Sequence, residues 1–426
     1  MAISYFKKHR TFFVALYAAI ITFLTYATVY AFRKPFSAGT YQDMPRIFGL
    51  GYKDALVISQ VLGYMFSKFY GIKFIAELKH FGRGKLILIL VGISWFALFL
   101  FAIIPAPYNV IFLFINGFPL GIIWGIVFSF VEGRKATDFI GAALAVSFIF
   151  SSGFVKSVGK ILMVQLHVKE LWMPFITGLV FALPMIILVW LLEKIPPPTE
   201  DDKSQRVVRS SLNKSERIIF FRNFSTGLIL LVIVYVILTV FRDIRDNFAA
   251  DMFREMGFGK NAAVFTETET PISIIVLLLI SSMIFIKNNA RAFFITHYLI
   301  IAGFFIAGIS SWLYLHNMLA PLYWMTLVGL GLYIGYIPFN CILFDRMIAT
   351  YRYTGNVGFL MYVADSFGYL GSVGVIILKT FFSGHMYWSV LYGNGVILFS
   401  FIGVIGTAIA LYYFKAKYKK TKIVYA

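Results

Sequence analysis

Apolar stretches of about 20 residues, the length that a helix needs to cross a bilayer, recur along the whole chain and limit its fold more than any other feature. A window of that length predicts spans near residues 12–32, 54–75, 85–105, 108–131, 138–163 and 172–193, then near 223–248, 262–286, 292–314, 321–345, 355–381 and 388–414. Between the two sets lies the longest polar stretch, IPPPTEDDKSQRVVRSSLNKSER (195–217), whose prolines and charges cannot remain in hydrocarbon. The chain therefore divides into a six-helix bundle at 1–194, a cytoplasmic linker at 195–221 and a second six-helix bundle at 222–426. Composition excludes a water-soluble alternative: 60% of residues are hydrophobic and 13% charged, with a mean hydropathy of +0.83. The expected class is an all-α integral membrane protein with twelve transmembrane helices in two pseudo-symmetric halves.

The basic residues orient these spans. With the N-terminus inside, cytoplasmic segments collect 25 of the 38 Lys and Arg residues, and seven fall on the opposite side: Arg46, Lys53, Lys160, Lys169, Arg254, Lys260 and Lys379. Both termini and the linker are thus expected in the cytoplasm, in a multi-pass protein of the cell (inner, cytoplasmic) membrane. The net charge of +19 follows from insertion topology and does not call for nucleic acid. The first span follows a basic KKHR segment but is long and lacks a small-residue cleavage site, so it reads as a retained helix. Cys341, the single cysteine, says almost nothing about redox compartment.

The two halves show traces of duplication. YATVYAFR (26–33) in the first span and YVILTVFR (235–242) in the seventh both read Tyr, six residues, Arg, with Phe before the Arg. KSVG (156–159) and GSVG (371–374) likewise put the fifth and eleventh spans in register. Transporters built from such repeats bind substrate near the midplane. Six basic residues, Arg33, Lys34, Lys68, Lys156, Arg242 and Arg245, lie inside or at the margins of spans, where a cation costs about 2.5–3.5 kcal/mol on insertion scales. Snorkelling or interhelical ion pairs account for such residues equally well at Lys34, Lys68 and Arg245. Arg33 and Arg242 occupy equivalent repeat positions, and two guanidinium forks can grip one phosphate or carboxylate from both sides. Lys156 sits among small residues that let helices approach, open to an acid across the packing. Asp365, one turn before Tyr369, is the acid to ask about, as a counter-ion or as the acceptor of a coupling proton.

These residues resemble a known family. YAFRKPF (30–36), with Tyr26 one turn earlier, resembles the first-helix signature of the organophosphate:phosphate antiporters of the major facilitator superfamily, such as the glycerol-3-phosphate and hexose-phosphate transporters. YMFSKF (64–69) looks like their second-helix motif and FGYLGS (367–372) like their eleventh. The chain is closer still to a bacterial family of this fold that names no substrate. The resemblance implies that Arg33 and Arg242 meet a phosphate group and that Tyr26, Tyr30 and Tyr369 line the cavity. It places Lys34 in a charge network with an acid just after the seventh-span arginine and one early in the eighth span, with Asp246 and Glu267 read as those acids. Departures from the family pattern include Lys156-Ser157-Val158-Gly159 in place of His-Asn-Val-Gly, Thr239 in place of a tyrosine, and Glu77 with Lys79 in place of Asp-Arg.

The reading is therefore a secondary active transporter of a small anionic solute, an organophosphate or phosphate, working by alternating access. Substrate binding falls to Arg33, Arg242, Lys156, Tyr26, Tyr30 and Tyr369, and coupling or gating to Lys34, Lys68, Asp246, Glu267 and Asp365. The alternatives are a proton-coupled carboxylate transporter and a transporter-like membrane sensor. Walker loops, metal-spaced His/Cys clusters and paired catalytic carboxylates are missing from the sequence, so no enzyme activity, metal or cofactor is expected. The expected partners are the anionic solute and the bilayer; the expected state is a monomer.

Overall fold

The computed structural model describes residues 2–76, 82–131, 137–197, 214–351, 358–382 and 387–424. The expected Glu77 and Lys79 pair and most of the linker lie outside these residues. The first half contains α1 (Ala2–Val29), α2 (Tyr52–Ala76), α3 (Arg83–Ile103), α4 (Ile111–Ser129), α5 (Thr137–Val164) and α6 (Met173–Glu193). The second contains α7 (Lys214–Glu255), α8 (Val264–Ser282), α9 (Asn289–Leu315), α10 (Pro321–Cys341), the short α11 (Leu343–Thr350), α12 (Gly358–Phe382) and α13 (Trp388–Val424). Among the described residues, ten helices are long and apolar enough to cross a membrane. Helices α2 and α12 coincide with the other two predicted spans.

Several boundaries differ from expectation, three of them for a clear local reason. α1 gives way to a 3-10 turn at Tyr30–Phe32, because Pro35 has no N–H to donate back into the helix and its ring crowds the preceding turn. α7 begins at Lys214, inside the expected linker, and runs for 42 residues; at 1.5 Å per residue its polar first turns extend beyond any bilayer core. The tenth span stops at Cys341, where Pro338 removes a helical donor and Ile342 turns to φ −130°, and α11 restarts beyond the break.

Burial follows a lipid solvent. Large apolar side chains face outward, among them Leu183, Leu278, Phe401 and Tyr412. Several buried hydroxyls are satisfied locally, as hydrocarbon favours: those of Thr22, Thr25 and Thr28 donate to carbonyls one turn back.

Two compact units emerge. The first comprises Met1–Arg206 with Asn247–Ser273 and Ile376–Phe382, and the second comprises Val207–Asp246, Ile274–Val375 and Ser383–Ala426. Within the first, α2 and α4 touch backbone to backbone: a Cβ added to Gly63 would lie 2.3 Å from the Phe114 carbonyl oxygen, and one on Gly117 2.4 Å from that of Gln60. Within the second, Gly303 of α9 and Gly331 of α10 meet the same way: a Cβ added to either would lie 2.4 Å from the other's carbonyl oxygen. Such approaches need small residues, since lipid supplies no hydrophobic force to press helices together.

Candidate functional site

In the first unit the break after α1 exposes carbonyls that an unbroken helix would have bonded. Side-chain amides replace those bonds. Gln60 Nε2 donates to the Arg33 carbonyl and to Asn116 Oδ1, both at 2.8 Å. Asn116 Nδ2 donates to the carbonyls of Phe32 at 2.8 Å and Ser94 at 2.9 Å. This buried ladder from α2, α3 and α4 fixes the backbone that carries Arg33.

The Arg33 guanidinium carbon lies 3.8 Å from the centroid of the Tyr64 ring and 5.7 Å from that of Tyr30. Lys68 Nζ, one turn after Tyr64, stands 5.3 Å from the same Tyr64 ring. Two cations thus lie close to one aromatic ring, and Tyr26 packs edge-on against Tyr30 beside them at 5.6 Å. Tyr64 is a member of this cluster to which sequence reasoning gave no role, although its i, i+4 spacing to Lys68 inside YMFSKF was the available signal.

Lys34 points elsewhere, donating to Asn247 Oδ1 at 2.9 Å. Lys156 is buried on α5 with Nζ 5.6 Å from the Phe265 ring centre on α8. Next to it, Ser157 Oγ accepts from the backbone and hydroxyl of Thr266. Of the two α8 acids, Glu267 is exposed and accepts from Asn261 at 3.3 Å. Glu269 is the buried one, its Cβ and Cγ 2.7 Å from where a Gly153 Cβ would stand. The family resemblance favoured Glu267; only the packing of α5 on α8 singles out Glu269. A further buried ion pair joins Lys53 Nζ to Asp251 Oδ2 at 2.6 Å, and Lys53 also donates to the Ser37 carbonyl at 3.1 Å.

In the second unit the Arg242 guanidinium carbon lies 4.2 Å from the Tyr336 ring centroid, and Nη2 meets Asp243 Oδ1 at 2.8 Å. Asp243 Oδ2 also accepts from Ser372 at 3.3 Å. Asp365 is buried and accepts a hydrogen bond from the Tyr235 hydroxyl, and Tyr235 stacks on Tyr336 with 3.1 Å between their hydroxyl oxygens. Arg245 donates through Nε and Nη2 to the Met325 carbonyl, and Tyr369 is buried while Asp246 is half-buried. The matched arginines therefore rest on tyrosines from unmatched helices, α2 in one unit and α10 in the other. Asp243, adjacent to Arg242 in sequence, is a partner that sequence reasoning passed over. Among the described residues, no cluster of His, Cys, Asp and Glu could hold a metal ion.

One family model matches residues 35–417, nine-tenths of this architecture. The chain belongs to the DUF5690 family, a family of unknown function. No curated protein matches it in sequence. Solved structures do match in fold. The nucleoside transporter NupG is 14% identical with a TM-score of 0.61, over 94% of this chain and 99% of that one. A bacterial homologue of the human drug peptide transporters PepT1 and PepT2 is 14% identical with a TM-score of 0.62, over 96% and 99%. A D-xylose-proton symporter is 14% identical with a TM-score of 0.57, over 92% and 97%. At such identities the likeness shows the fold: an all-α, multi-pass membrane protein of the major facilitator type.

Proposed function

We propose that the protein is a secondary transporter of a small anionic solute, an organophosphate or phosphate, working by alternating access. The observation that carries the reading is the pair of cations, Arg33 and Lys68, gathered at the Tyr64 ring inside a membrane-spanning unit. Placing charges in hydrocarbon is costly, and ionisable residues kept inside spans mark substrate and ion pathways. Arg242 and Lys156 contribute further cations, Tyr26, Tyr30 and Tyr369 supply hydroxyls, and Lys34, Asp246 and Glu267 govern access. That the fold neighbours are transporters of nucleosides, peptides and xylose supports carriage over signalling or catalysis.

A panel of phosphorylated and carboxylated metabolites, scored by thermal shift of the purified protein, tests the solute class. Stabilisation by phosphorylated members is expected, and stabilisation by carboxylates alone would replace the phosphate reading. The carboxylate alternative has its own support in Asp365, whose bond from Tyr235 leads through Tyr336 to the face of Arg242. There Asp365 would carry a coupling proton.

The loop charges support residence in the cell's cytoplasmic membrane with both termini inside. Reporter fusions at residue 205 and at the C-terminus are expected to report cytoplasm, and one at residue 106 the opposite side. A cytoplasmic signal at 106 would break the twelve-span topology.

A further inference from the structure

We infer that the second unit carries a binding site for the headgroup of an anionic phospholipid where the ends of α7, α9 and α13 converge. The depth follows from helix length. From Trp388 to Tyr412, α13 climbs about 36 Å, enough to cross a hydrocarbon core of about 30 Å. Along that length Leu398, Phe401, Ile405, Ile409 and Tyr412 face outward as lipid-contacting side chains. Lys415, Lys417 and Lys420 therefore stand at headgroup level.

Two of these lysines are held in place rather than left to extend into water. Lys415 Nζ donates to the Tyr298 hydroxyl of α9 at 2.7 Å and lies 5.1 Å from that ring's centre. Lys417 Nζ lies 4.7 Å from the Phe224 ring of α7 and 5.8 Å from the ring of Tyr413, and it donates to the Asn223 carbonyl, which also accepts from the Tyr413 hydroxyl. Beneath them Phe224, Phe293, Tyr351 and Phe414 pack ring against ring, which joins the three helices in one aromatic floor. The exposed Arg291 lies in the first turn of α9, whose Asn288 cap accepts from the Arg291 backbone N–H. In sequence, the stretches 214–224, 286–292 and 413–420 carry Glu216 as their one acid against a preponderance of Lys and Arg.

The geometry selects a lipid over a soluble anion. Exposed apolar side chains of α13 run directly up to the cations, so an occupant gains from an acyl chain along the helix and a phosphate at its end. Each Lys or Arg near such a surface adds to the attraction for anionic lipid. This site is separate from the residues assigned to the transported solute.

The test uses the purified full-length protein in neutral detergent, with phosphatidylglycerol, phosphatidylcholine or soluble glycerol phosphate added, read by thermal unfolding and by native mass spectrometry of retained lipid. Phosphatidylglycerol is expected to raise the unfolding temperature and to remain as an adduct, phosphatidylcholine to do neither, and about 1 M salt to abolish the difference. The K415Q/K417Q variant should lose the phosphatidylglycerol response. If that variant does not fold, R291Q/K420Q tests the same site, and K85Q on α3 should keep the wild-type response. Equal stabilisation by both lipids, or an undiminished response in the folded variants, would overturn the inference. A response to glycerol phosphate that disappears in the same variants would overturn it too, by marking a site for free phosphate. None of these readouts depends on transport, so the lipid site and the anion-carrier reading can fail separately.

Discussion

Arg33→Lys and Arg242→Lys are each expected to weaken anion binding roughly tenfold to more than a hundredfold, measured with phosphorylated solutes on protein reconstituted in liposomes. Lysine keeps the positive charge at both places. On Tyr64 it also keeps a cation for the ring face, and beside Asp243 it keeps a partner for the carboxylate. What it loses is the planar fork that offers two parallel N–H donors to an oxyanion. Hydrogen bonds to charged groups contribute about 1.5–3 kcal/mol, which sets the expected range. A purely structural arginine tolerates this exchange, so near-normal binding in both folded variants would remove the central support for an anion carrier.

The second large effect concerns stability. Asp251→Leu leaves the Lys53 ammonium buried with its carboxylate gone, and removal of one member of a buried ion pair costs about 3–5 kcal/mol. Lys53→Met should be comparably harmful by stranding Asp251. The double variant Lys53→Met/Asp251→Leu removes both charges and is expected to recover most of the loss, since apolar replacement of a whole buried pair is often neutral. Denaturation of the four proteins in one detergent gives the coupling directly. Losses that simply add in the double variant would show that the two residues act independently.

The sequence determined by itself that this chain lies in a membrane and where it crosses. Hydropathy over about 20 residues depends on local composition, and the polar stretch before α7 needed no neighbour to be recognised. The shared spacing of Arg33 and Arg242, each seven residues after a tyrosine, was also legible, because it is local to each span. Boundaries failed where one proline acts over a few residues, as at Pro35 and Pro338, a scale finer than any hydropathy window. The surroundings of each charge were decided by tertiary structure alone. Tyr64 and Tyr336 became seats for the arginines, Glu269 went inward while Glu267 stayed out, and Lys53 found Asp251 across 198 residues. The physical reason is that a charge in a low-dielectric interior must be matched by groups within a few ångströms. Those groups come from other helices, brought close by contacts such as Gly63 on Phe114 and Gly303 on Gly331, and the order of residues along one chain does not encode that distance.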